Sequence, residues 1–140
     1  MKGQYLTIEY VLFFAIGIAM VVAVFYTFTT ISNSTKTDAS TVQMEKTGEL
    51  IRDSIVNVYE TGNRTNSTIN YKLDIPPKLS GQVYTVQYIT GLNVNSTENY
   101  KIGSTLSLYN INIKPSAIIY STKGEVQIRY NCVSKQVELL

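Results

Sequence analysis

Tyr10 to Phe28 reads YVLFFAIGIAMVVAVFYTF, 19 mostly apolar residues, and no charge occurs between Glu9 and Lys36. As an α-helix rising 1.5 Å per residue the run reaches about 30 Å, the hydrocarbon thickness of a bilayer. The segment is therefore expected to enter a membrane. A secretory signal would carry a shorter apolar core of about 7–15 residues and a small-x-small cleavage site. Bulky Phe25, Tyr26 and Phe28 stand where small residues would be needed, so removal of the whole segment is disfavoured. The basic residue ahead of the run is Lys2, which by the positive-inside bias places the N-terminus in the cytoplasm and everything after Phe28 outside.

Moving toward the C-terminus, Thr27 to Thr41 reads TFTTISNSTKTDAST, rich in side chains that compete with a helical backbone for hydrogen bonds. Residues 30–38 either interrupt the helix or bridge it into one longer helix. A helical stretch follows from Ser40 to Glu60, with Ser40 and Gln43 spaced as a capping box and Leu50, Ile51, Ile55, Val58 and Tyr59 on one face. Gly62 is the expected stop.

Beyond Asn66 the period changes to alternation. Ile69, Tyr71, Leu73 and Ile75 face one way and Asn70, Lys72 and Asp74 the other, before Pro76 and Pro77 end the strand. Further strands are expected over residues 82–90, 105–113, 116–121 and 125–133. Ser121 to Gly124 is expected to make a tight hairpin with Gly124 at positive φ, and the tail through Val137 to Leu139 an edge strand. The expected fold class is α+β: a long N-terminal hydrophobic α-helix followed by a small antiparallel β-sandwich head. The expected divisions are 1–3 as a leader, 4–30 as the transmembrane helix, 31–62 as a polar hinge and amphipathic helix, and 63–140 as the head.

Composition narrows function. The 140 residues contain no His, no Trp and one Cys, which removes the usual zinc and copper ligand sets, Ser-His and Cys-His nucleophile pairs and any internal disulfide. The chain is expected to be no enzyme and to need no cofactor or metal. Twelve basic and ten acidic residues are spread along the chain without the clustered Lys and Arg that follow a phosphate backbone, so direct nucleic-acid binding is not expected. The excess lies in Ser, Thr, Asn and 11 Tyr, which make uncharged, hydrogen-bonding surfaces.

The extreme N-terminus, MKGQYLTIEYVLFFAIG, sharpens this. Lys2-Gly3, then a short spacer, then an apolar helix with a single acid, Glu9, in its first turns resembles the leader and helix start of archaeal type IV pilins, with their class III signal peptide. The resemblance is close for residues 2–30 and architectural for the rest. It implies cleavage by a prepilin peptidase around Lys2, Gly3 and Gln4. Cutting after Gly3 makes Gln4 the first mature residue and Glu9 the sixth, whereas cutting after Gln4 makes Glu9 the fifth. A first Gln is common in the archaeal class, which favours the Gly3 cut. The resemblance further implies a membrane-inserted precursor, an assembly ATPase, a polytopic platform protein, and a helical homopolymer at the cell surface serving adhesion or cell-to-cell contact. The competing class is a single-span membrane-anchored β-domain protein, such as a minor pilin or archaellum-associated component.

Glu9 has its own physical argument. A carboxylate among apolar helices costs about 2.5–3.5 kcal/mol at mid-membrane on insertion scales, and is tolerated near the headgroups or beside a cation. The α-amino group freed by cleavage is such a cation, with an ordinary pKa near 7.7–8.0; otherwise Glu9 marks the membrane edge. Ala15, Ala19 and Ala23 form a small-xxx-small stripe that admits a neighbouring helix, although a lone lipid-surrounded span carries such alanines equally well. The tyrosines and Cys132 are expected mainly to pack in the sheets. Four sequons begin at Asn33, Asn63, Asn66 and Asn95. They are expected in loops or the polar segment after the span, as N-glycosylation sites or as ordinary turn formers.

Overall fold

The computed structural model describes residues 2–99, 101–108 and 110–140, with side chains described from Thr7 onward. Its contacts divide the chain into two units, Met1–Lys36 and Thr37–Leu140.

Helix α1, Lys2–Thr65, has no break at residues 30–38. The hydroxyls expected to compete with the helix are absorbed by it. Thr27, Thr30, Thr35 and Thr41 each donate to the carbonyl four residues earlier at 2.8–3.0 Å, and Thr29 reaches both the Phe25 and Tyr26 carbonyls at 2.9 Å. A hydroxyl that back-bonds within its own helix no longer offers the backbone an alternative turn.

The expected capping box does not form, because at Ser40 there is no helix start and hence no orphan N–H to cap. Ser40 is instead buried on the helix face, and the Gln43 side-chain oxygen accepts a hydrogen bond from the Ser80 hydroxyl at 2.9 Å. The helix also runs past Gly62. Its stop is Asn66, which takes the left-handed conformation at φ 51°, while the Ser67 N–H donates to the Gly62 carbonyl at 3.2 Å. This is a Schellman closure, with Asn in the position more often held by Gly.

Within the second unit, α1 buries Met44, Gly48, Ile51, Ile55, Val58 and Gly62, a stripe spaced three and four residues apart. Each large apolar side chain removed from water contributes about 1.5–3 kcal/mol. Leu50, expected on this face, lies one residue and hence roughly 100° off the stripe and is exposed.

Among the described residues seven strands follow: β1 Ile69–Asp74, β2 Tyr84–Tyr88, β3 Leu92–Ser96, β4 Gly103–Leu106, β5 Ile119–Tyr120, β6 Glu125–Asn131 and β7 Gln136–Leu139. They form a three-stranded sheet, β1-β6-β7, and a four-stranded sheet, β4-β3-β2-β5, with every strand pairing antiparallel. β7 is the expected edge strand. The strand expected over 105–113 ends at Leu106, and Asn110, at φ 66°, is incompatible with extended chain. Ser121 to Gly124 is not a hairpin. Gly124 does take positive φ, 73°, but after a short 3₁₀ turn, Ser121–Lys123, and the turn carries the chain from one sheet to the other. Buried Ser121 holds that crossing: its hydroxyl donates to the Pro77 carbonyl at 2.7 Å and accepts from the Tyr84 N–H at 3.1 Å.

The helix stripe and both sheets share one core that includes Met44, Ile51, Tyr84, Leu92, Val126 and Tyr130. Two glycines mark where the helix touches each sheet. A Cβ at Gly48 would meet Leu106 and Val94 of the four-stranded sheet, and one at Gly62 would overlap the Tyr130 ring of the three-stranded sheet.

Candidate functional site

The feature that sets this chain apart from an ordinary α+β domain is the first half of α1. From Thr7 to Ile31 every residue is exposed, among them Phe13, Phe14, Ile18, Val22 and Phe25 at 50–72%. This is a helix apolar on all sides, long enough and uncharged enough to cross a membrane. A stable water-facing helix would show one polar face; this one has none. Glu9 lies exposed two turns in from the helix start, and Ala15, Ala19 and Ala23 form one exposed stripe four residues apart. Lys2, Gly3 and Gln4 fall in the helical backbone of α1, and their side chains lie outside the described residues.

The sequons are distributed differently from the loop positions expected. Asn33 and Asn63 lie inside α1, Asn66 is the left-handed residue that ends it, and Asn95 lies in β3. Gly62 as a stop would put Asn63 in a loop, but α1 continues past it. At Asn95 two asparagines, poor strand formers, hide the Leu92/Val94 alternation that identifies β3. Asn95 pairs across the sheet with Thr85 on β2 and Gly103 on β4.

Among the described residues no group of three His, Cys, Asp or Glu is placed to hold a metal ion. A groove of about 310 Å³ opens between α1 and β1, lined by Ser54, Asn57, Val58, Thr61, Ile69 and Tyr71. It contains no titratable side chain besides the Tyr71 phenol. Tyr71, expected to be buried with Leu73, instead borders this opening. Away from the groove, two ion pairs lie on or beside the three-stranded sheet. There Lys72 meets Glu125 at 3.3 Å and Lys114 meets Glu138 at 3.0 Å. The Gln127 amide, and then Lys72, hold the Glu125 carboxyl below its ordinary range. Such exposed pairs contribute little to stability. Of the tyrosines, Tyr84 and Tyr130 are core residues, and Cys132 is half-buried against the same core, its sulfur accepting the Thr68 hydroxyl at 3.3 Å.

Searches against protein families, curated proteins and solved structures found no match to this chain.

Proposed function

We propose that the chain is the structural subunit of an extracellular filament of the archaeal type IV pilin kind. Residues 7–31 form the shared filament core and the unit Thr37–Leu140 forms the surface head. The observation that carries this reading is the all-round apolar helix, whose burial the chain does not itself supply. At about 25 cal/mol per Å² of apolar surface removed from water, so long a bare helix must find lipid or other copies of itself. Before assembly the bilayer covers it; in the filament the copies do. The exposed alanine stripe admits the closest neighbour, and Glu9 pairs with the α-amino group freed when a prepilin peptidase removes residues 1–3. The assembly ATPase and the platform membrane protein supply the mechanical work, so the subunit itself carries no catalytic role. A glycosylated head serving adhesion or cell-to-cell contact completes the proposal.

The test is the mass and morphology of surface material. Mature chains should begin at Gln4 and be found in filaments. Ile18→Lys, which places an unpaired cation among packed helices, should abolish filaments, while Asn57→Lys on the exposed side of the helix in the head should not. A chain retaining Met1 and present only in membranes would refute the filament and favour the single-span anchored protein or a minor pilin or archaellum-associated component.

A further inference from the structure

The two sheets present outer faces of opposite character. On the three-stranded sheet the outward positions carry Lys72, Asp74, Glu125, Arg129 and Glu138, in pairs such as Lys72–Glu125. On the four-stranded sheet no residue of β2, β3, β4 or β5 is charged. Its outward positions are Thr85, Gln87, Asn93, Asn95, Thr105 and Tyr120. Beside them Ile118 and Ile89 are 51% and 55% exposed. Edge strands in contact with water are commonly guarded by charge, yet in the edge strand β5 Tyr120 is exposed, as is Ile118 just before the strand, on either side of buried Ile119. A charge-free face with an exposed aromatic ring has the composition of a covered surface.

Asn95 lies on this same face and opens its sequon with Ser96 and Thr97. Its cross-strand neighbours are small. Gly103 stands directly opposite on β4, and a Cβ there would overlap the Asn95 side-chain oxygen, while on the other side stands Thr85. A second asparagine on the face, Asn93, is already engaged: it accepts from the Thr105 hydroxyl at 2.7 Å and donates to the Gly91 carbonyl at 3.2 Å. Thr85 pairs with both Asn95 and Tyr120, so Asn95 and Tyr120 are two strand spacings, about 10 Å, apart.

We infer that Asn95 carries an N-linked sugar chain that lies over the outer face of the four-stranded sheet and covers Tyr120 and Ile118. This rests on the extracellular placement proposed above. In the transfer, the Asn95 amide nitrogen bonds to the anomeric carbon of a lipid-linked sugar phosphate. The bond from that carbon to the phosphate oxygen breaks, the phosphate leaves with the electron pair, and the amide gives up one proton. Gly103 leaves room for the first ring, and two pyranose rings span the distance to Tyr120. The sugar then offers its C–H face to the aromatic ring and its hydroxyls to Thr85 and Gln87. Covering the edge in this way supplies the protection against strand pairing that charges supply on the other sheet.

The experiment compares the nitration of Tyr120 with that of Tyr71, which is similarly exposed at 44% against 52%, in native full-length protein and in variants, alongside peptide mapping of the four asparagines. The expected result is sugar on Asn95 with Tyr120 nitrated severalfold more slowly than Tyr71. The rates should converge in Asn95→Gln and in Thr97→Val, while Thr97→Ser, which keeps the sequon, should retain the protection. A bare Asn95 with sugar on another sequon would overturn the inference and leave the filament reading standing. So would a glycosylated Asn95 with Tyr120 as reactive as Tyr71. Protection that persists in Asn95→Gln would overturn it by assigning the face to a second copy of the chain. All four asparagines bare on a chain that keeps Met1 would overturn both readings, the second through the N-terminal mass.

Discussion

Gly62→Ala tests how the helix is seated on the head. By helix propensity alone this change should stabilise the chain, because Ala in a helix interior is favoured over Gly by about 1 kcal/mol. The tertiary contact opposes it. A Cβ at position 62 would overlap Cδ1 of Tyr130 and lie 2.7 Å from Cε1 and 2.8 Å from Cγ. The ring has little room to retreat: Tyr130 is 1% exposed and sits edge-on to Tyr59 with centroids 5.7 Å apart. Overpacking of this kind costs about 1–3 kcal/mol, and the full overlap places Gly62 at the upper end. Net destabilisation of about 1–2 kcal/mol is therefore expected after the propensity gain is subtracted. At roughly 4–8 °C per kcal/mol for a domain near 100 residues, Tm should fall by about 5–15 °C. The assay is thermal unfolding of the full chain in mild detergent, followed by the near-ultraviolet tyrosine signal. In a Tyr130→Leu background the same Gly62→Ala change should be neutral or stabilising, giving a coupling of at least about 1 kcal/mol. A Gly62→Ala protein as stable as the parent would refute the seating of α1 on β6.

Glu9→Ala should leave the head's melting temperature unchanged while reducing filament number in micrographs of sheared material; normal filament yield would make Glu9 an edge residue only. Burial raises the Tyr84 phenol to about 12 from its ordinary 10. Because the unfolded chain ionises first, stability is whole below pH 10 and is lost as pH rises from about 10 toward 12. Tyr84→Phe should flatten that alkaline limb in a denaturation series. It should also cost about 1 kcal/mol at neutral pH for the lost 2.7 Å hydrogen bond to the Pro76 carbonyl. Asn66→Gly should be tolerated or slightly stabilising at φ 51°, whereas Asn66→Val should cost about 1–2 kcal/mol, measured by the same thermal unfolding.

Much of the architecture is legible in local pattern. An uninterrupted apolar run, Tyr10 to Phe28, reads as a membrane-length helix because length and polarity alone decide that property. Period-two alternation at Val126, Ile128 and Tyr130 reads as a strand because one face must be dry, and these three side chains are indeed buried. The candidate site residues Glu9, Ala15, Ala19 and Ala23 were visible for the same reason: their meaning depends on neighbours within a few turns. Asn95 was visible as a sequon but not as part of a sheet face, since its setting is made by Thr85 and Gly103 on other strands.

What the tertiary structure alone decided concerns competing local preferences and distant partners. The Ser/Thr-rich stretch 27–41 has two local answers, and the continuous α1 takes the helical one; the hydroxyls of Thr27, Thr29, Thr30, Thr35 and Thr41 are satisfied on their own helix at no cost in backbone bonds. Gly62 carried a local meaning as a stop and a non-local one as room for Tyr130, and the second prevailed because the ring lies 68 positions away in sequence. Likewise Ser121 to Gly124 has hairpin chemistry, but β5 finds its partner in β2 and β6 in β1, so the turn becomes a crossing between sheets. Composition and period constrain what a segment is. Which segment it meets depends on the summed burial of residues far apart in the chain, and that sum exists only once the fold has closed.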